Sequence, residues 1–217
     1  MTTDWMEHLG GRFIVFDGPD GSGKSSQFRR FADSVRAKGV RVCEVREPGG
    51  TAIGERTRDL LLDPAHTEMD VRCEMLLYMA SRAQLVEERV RPALDRGELV
   101  LADRFVSSTF AYQGTAGGMA LAEIESTARI ACGRTWPDWW VIFDVDERTA
   151  AQRLNPLLDR MEQKGIAFHR RVRAGFLEQA EAHPDSFLVI DASASEDAVY
   201  SDLIAQLGRR ERARQPR

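Results

Sequence analysis

The run Gly18-Pro-Asp-Gly-Ser-Gly-Lys-Ser25 constrains the fold of this chain more than any other stretch. It matches G-x-x-x-x-G-K-[ST] and stands where that pattern has physical meaning. An apolar strand, Arg12–Asp17 (RFIVFD), precedes it, and a helical pattern from Lys24 to Lys38 follows, with Phe28, Phe31 and Val35 on one face. Glycines let backbone N–H groups wrap an anion, and the helix start adds the positive end of its dipole. Lys24 then reaches the β- and γ-phosphates of a nucleoside triphosphate, while the Ser25 hydroxyl is a magnesium ligand. On this reading Gly18, Pro19, Asp20, Gly21, Ser22, Gly23, Lys24, Ser25 and Ser26 hold ATP, with Mg2+ as its companion ion.

A strand–turn–helix opening commits the chain to an α/β design, and the remaining pattern agrees. Short apolar runs recur at Val40–Arg46, Leu99–Ala102, Trp139–Val145 and Phe187–Ile190. Longer helical patterns lie between them, at Thr51–Leu62, Val71–Arg96 and Glu196–Leu207. This βαβ rhythm predicts a five-stranded parallel sheet with helices on both faces. The Val71–Arg96 helix is expected to bury Leu76, Leu77, Met79 and Ala80, with Pro92 placed to bend it. At 217 residues one domain suffices. The reading divides it into an N-terminal extension (1–11), a single domain (12–208) and a basic tail (209–217) carrying Arg209, Arg210, Arg212, Arg214 and Arg217.

A net charge of −4 gives no electrostatic reason for binding nucleic acid or an anionic membrane, and the arginine cluster is read as a solvated tail. Cys43, Cys73 and Cys132 lack disulfide or zinc spacing and are expected to be buried, reduced thiols. With no apolar h-region and no run near the ~20 residues of a membrane helix, a cytoplasmic protein is expected. His8, His66, His169 and His183 share no ligand spacing, so the nucleotide's magnesium is the one metal expected.

Three further segments carry chemistry. Arg46-Glu-Pro-Gly-Gly-Thr51 follows the second strand, where open α/β sheets bind ligands. Tyr78 and Arg82 stand four apart on one helix face. Asp103-Arg104-Phe105 ends the third strand and leads to Ser107, Ser108, Thr109, Tyr112 and Gln113. With these in view the chain resembles the thymidylate kinase family from about Phe13 to Leu207. The resemblance rests on FDGPDGSGKSSQ, REPGGTAIGERTRDLLLD, LLYMASRAQLVEERVRPAL, LADRFVSSTFAYQG, PDWWVIFDVD and LDRMEQKGIAFHRRVRAGF.

The resemblance implies a P-loop NTP hydrolase-like nucleoside monophosphate kinase fold, a closing lid at about 147–163 and ATP-dependent phosphorylation of dTMP. Asp20 looks like the carboxylate near the acceptor sugar. Arg46 and Arg104 look like the holders of the acceptor phosphate. Tyr78 takes the thymine-stacking position and Arg82 that of the base-reading arginine. Ser108, Thr109, Tyr112 and Gln113 line base and sugar, and Asp103 joins Ser25 at the magnesium. Lys24 and Arg104 are then catalytic candidates. The family's catalytic arginine comes from the position held here by Gly21 or from a stretch before L-D-R. That stretch reads Arg153-Leu-Asn-Pro-Leu-Leu-Asp-Arg160, which leaves Arg153 and Arg160 as candidates and Arg148 as a weaker one. A homodimer is also implied. The competing readings are a kinase of another deoxynucleotide and a nucleotide-binding relative with little turnover.

Overall fold

The order of the strands fixes where a ligand can bind. In a computed structural model, which describes residues 3–153 and 159–214, five parallel strands run β2-β3-β1-β4-β5. They are β1 (Phe13–Asp17), β2 (Val42–Arg46), β3 (Leu99–Asp103), β4 (Trp139–Asp144) and β5 (Phe187–Asp191). β1 is central and buried throughout, as expected of a strand covered on both faces. The chain order reverses on its two sides, so the crevice opens at its carboxyl end. Phe16 is in register with Asp103 of β3, which sets the glycine-rich turn beside Asp103 and Arg104.

Alternate strand residues feed two cores. Phe13, Val15, Val100 and Ala102 pack with α3 (Val71–Leu85), α6 (Leu121–Cys132) and α8 (Ile166–Ala182). Ile14, Phe16, Leu101 and Phe143 pack with α1 (Lys24–Arg36) and α9 (Glu196–Arg214). The other α-helices are α2 (Ala52–Leu62), α4 (Arg91–Asp95), the short α5 (Val106–Thr109), which runs on into a π-helical segment at Phe110–Ala116, and α7 (Glu147–Arg153).

Four expectations need adjustment. The long helix is three pieces: α3, a π-helical turn at Val86–Val90, and α4 with Pro92 in its first turn, where a missing N–H costs nothing. Its buried face is Met75, Met79, Arg82 and Leu85, with Glu74 beside them, while Leu76 and Ala80 are exposed. Hydrophobicity alone misassigns this face because two buried charges are neutralised by partners distant in sequence.

Residues 3–11 do not stand apart. Trp5, Met6 and Leu9 join the same core as Leu203 and Leu207. α9 continues past Leu207 to Arg214, and the nearly fully buried Glu211 accepts from Arg12 at 3.2 Å. Arg214 pairs with Asp138. Among the thiols Cys132 is buried, Cys43 half-buried and Cys73 exposed, and all are free; burial pushes the Cys132 thiol up to about 12. Among the described residues no helix is long and apolar enough to cross a membrane. Asn155, Pro156 and Arg217 lie outside the described residues.

Candidate active site

The glycine-rich turn follows β1 without a break, and two of its glycines are required by geometry. A Cβ at Gly18 (φ 134°) would stand 2.5 Å from the Phe143 carbonyl oxygen, and one at Gly21 (φ 75°) would collide with the carbonyl of Ala150 on α7. A residue larger than glycine at position 21 therefore displaces α7. The Ser22 hydroxyl is buried in the turn with no protein partner. An orphaned hydroxyl in a cradle of backbone amides fits a phosphate oxygen. Lys24 is buried, with its Nζ 2.7 Å from Asp103 Oδ1. Ser25 and Ser26 are exposed on the first turn of α1.

The second half of the site turns on Arg104, which among the described residues is the one non-glycine with positive φ, at 69°. Its Nη1 donates to Asp17 Oδ1 (3.2 Å), the Gly18 carbonyl (3.0 Å) and Ser108 Oγ (3.0 Å), and its Nη2 pairs with Asp20. Asp17 is fully buried and accepts from Gly18 N (2.9 Å), Ser107 Oγ (2.6 Å) and Ser108 Oγ (2.7 Å). Tyr112 donates its hydroxyl to Asp20 Oδ2 at 2.7 Å. Burial pushes the Asp20 carboxyl up, but Arg104, Tyr112 and Lys24 together hold it below the ordinary carboxylate value. Burial drives the Tyr112 hydroxyl well above its usual range; Arg104 opposes this and Asp20 adds to it.

These groups border a cleft of about 240 Å3. Ten residues singled out in the sequence line it: Asp20, Lys24, Arg46, Tyr78, Asp103, Arg104, Ser108, Thr109, Tyr112 and Gln113. Arg46 pairs with Glu55 at 2.8 Å. Burial, reinforced by Glu74, keeps the Tyr78 hydroxyl protonated.

Three predicted arginines stand elsewhere. Arg82 is 1% exposed and does not line the cleft; its guanidinium grips Glu47 at 2.5–3.1 Å and reaches Thr109 Oγ1 at 3.2 Å. Arg160 is buried against the Leu61 carbonyl (2.7 Å) and Glu74 (2.6 Å). Arg153 is exposed, donates to the Ala192 carbonyl at 2.9 Å, and brings Nη1 to 4.0 Å from where a Cβ on Gly23 would stand.

Glu47, Asp17, Arg58, Asp159, Met161 and Glu162 have no role assigned from the sequence, although all but Asp17 line the cleft. Asp17 had a usable signal, an acid ending a buried strand directly before the turn. Glu47 had the weaker one of an acid next to Arg46. Burial pushes the Glu47 carboxyl up to about 7, with Arg82 opposing. Asp159, Met161 and Glu162 stand in the LDRMEQKG stretch that carries the resemblance, but nothing in its pattern marks them as cleft residues.

A parallel sheet that sets a glycine-rich phosphate turn at its switch point, with Lys24, Arg46 and Arg104 lining one cleft there, has the architecture of a P-loop nucleoside monophosphate kinase. Comparison with known proteins narrows this further. The family model described as Thymidylate kinase matches residues 16–203, and the chain belongs to that family. It is 45% identical over 204 residues to the thymidylate kinase of Deinococcus radiodurans, covering 92% of this chain and 98% of that one. To the thymidylate kinase of Lactobacillus helveticus it is 40% identical over 205 residues, covering 92% and 97%. A crystal structure of thymidylate kinase from Ehrlichia chaffeensis superposes with a TM-score of 0.75 at 32% identity, covering 92% of this chain and 99% of that one.

Proposed function

We propose that this chain transfers the γ-phosphoryl group of ATP to the 5′-phosphate of dTMP, giving ADP and dTDP. An acceptor phosphate oxygen bonds to the γ-phosphorus while the bond to the β,γ-bridging oxygen breaks. The observation that carries the reading is that Lys24 of the phosphate turn and Arg104 line the same cleft. Two anions brought together there are aligned and neutralised, which is most of what phosphoryl transfer asks of a protein.

The donor phosphates sit on the amides from Gly18 to Ser26, with Ser22 Oγ and Lys24 Nζ as side-chain donors. Arg104 and Arg46 take the acceptor phosphate. Tyr78, Thr109 and Gln113 face the base, and the Tyr112–Asp20 pair closes the sugar side, where it would meet a ribose 2′-hydroxyl. Arg82 supports the base wall through Thr109 and Glu47.

Ser25 and Asp103 are the residues that would hold magnesium, and their hydroxyl and carboxylate suit a hard cation that keeps several waters. That ion supplies charge neutralisation at the transferring phosphoryl group. Of the two arginine candidates, the position of Arg153 beside the phosphate turn favours it, while Arg160 acts as an anchor of the lid's returning end. The lid comprises about residues 147–163 and excludes water when closed.

The protein works in the cytoplasm, where ATP is at hand. It works as a homodimer through α2, α3 and α6, whose Ile53, Leu60, Leu76 and Ile130 are exposed.

The test is steady-state ADP formation from ATP and magnesium with dTMP, dUMP, ribosyl TMP, dCMP, dGMP or AMP as acceptor. Turnover strongly favouring dTMP, and collapsing in Lys24→Ala, is the expected result. A better acceptor than dTMP, or ATP binding without acceptor-dependent turnover, refutes the reading.

A further inference from the structure

Glu74, in the first turn of α3, has a side chain 1% exposed and no part in the roles above. An ionised carboxylate is costly to bury unless its lone pairs are filled by donors. Here they are filled from separate parts of the chain. Gln113 Nε2 donates at 2.7 Å, Arg160 Nη2 lies at 2.6 Å and Lys164 Nζ at 3.1 Å. Arg160 is also tied to α2 through the Leu61 carbonyl. Asp159, Met161 and Glu162, which lie beside or between the two cations in sequence, form one wall of the cleft near Tyr78.

The Gln113 contact has a second consequence. An ionised carboxylate only accepts, so it turns the amide nitrogen of Gln113 towards itself and leaves the carbonyl Oε1 as the uncommitted end. Gln113 lines the cleft. A carbonyl acceptor suits a pyrimidine whose ring N3 carries hydrogen, as in thymine, and opposes cytosine, whose N3 is itself an acceptor.

We propose that Glu74 is a positioning residue for the acceptor. It fastens residues 159–164 against α3 and fixes the Gln113 amide with its carbonyl available to the base, so that the lid-side wall and base selection are set by one carboxylate. The proposal rests on the cleft being the dTMP site.

The experiment compares wild type with Glu74→Gln, whose neutral amide can donate as well as accept. Wild-type turnover of dTMP is measured first, and its absence would defeat the reading of the cleft rather than this inference. With the wild type active, Glu74→Gln is expected to raise the dTMP KM roughly tenfold and to lower the dTMP-over-dCMP ratio of kcat/KM by about tenfold, with the ATP KM within about twofold. A residue that only supported the fold would lower thermal stability and leave base selectivity alone. A folded Glu74→Gln with unchanged dTMP KM and unchanged selectivity overturns the proposal. Should Glu74→Gln fail to fold, the half-buried Lys164 provides the second variant. Lys164→Met is expected to raise the dTMP KM about threefold at constant ATP KM, and no change in the dTMP KM overturns the proposal.

Discussion

At the end of the cleft proposed for the donor, the candidate binding groups come from consecutive residues, Gly18 to Ser26, and most are backbone amides. The acceptor end takes side chains from the exits of β2 and β3, from α3, from the segment 107–113 and from residues 159–162. Backbone conformation holds the first, through the positive φ of Gly18, Gly21 and Gly23. Buried charge holds the second. Asp17, Glu47 and Glu74 are 0%, 6% and 1% exposed, and each clamps one arginine: Arg104, Arg82 and Arg160 respectively. A loop of glycines suffices where any triphosphate is to be gripped. A site that must recognise one base and one sugar needs side chains, and these need partners that fix their geometry.

The contrast is broken most sharply at its two cationic ends. Lys24→Ala and Arg104→Ala are each expected to lower kcat/KM by roughly 10²–10³, as for loss of one preorganised donor to a developing charge. They should separate in binding: calorimetry is expected to find dTMP affinity kept in Lys24→Ala and lost in Arg104→Ala. Equal loss of both ligands in both variants would mean that the two ends are not independently built.

Glu47→Gln tests the buried-charge half. Above pH 8, where the Glu47 carboxyl is ionised, the substitution leaves the Arg82 guanidinium buried without a counter-charge, and a loss of about 3–5 kcal/mol is expected in denaturant unfolding. The apolar pair Glu47→Leu with Arg82→Met should recover much of that stability without recovering selectivity for dTMP.

Gly21→Ala tests the backbone half. Its strained φ and its collision with Ala150 are expected to cost about 1–3 kcal/mol and to push α7 off the turn, seen as lower thermal stability and a higher ATP KM.

The smallest effect is electrostatic. Asp20 has its carboxyl held below the ordinary value of 3.8, so its contribution is fully present above that pH and drains away as pH falls through the lower, folded value. Melting curves between pH 2.5 and 5 should show wild type losing stability faster than Asp20→Asn as acid is added.

The same contrast explains what the sequence made legible. The phosphate turn was readable because its chemistry is local, with pattern, strand and helix contiguous from Arg12 to Lys38. The five strands were readable because each is a short apolar run between turns. The acceptor residues had no such local signal. The roles proposed for them came from the family resemblance, which attached none to Asp17, Glu47 or Glu74. Glu74 meets Gln113 across 39 positions and Lys164 across 90, and no periodicity in a single chain predicts such a pairing. The buried face of α3 was misread for the same reason. The terminal segments were misread because Trp5 and Glu211 are buried by partners at the opposite end of the chain.

Direct transfer of a phosphoryl group to dTMP is tested by following label from ATP radiolabelled at the γ-phosphate, with products separated by chromatography. The predicted result is label appearing in dTDP at the rate it leaves ATP, with little released as inorganic phosphate when dTMP is omitted. Label appearing as inorganic phosphate whether or not dTMP is present, or remaining in ATP, would contradict it.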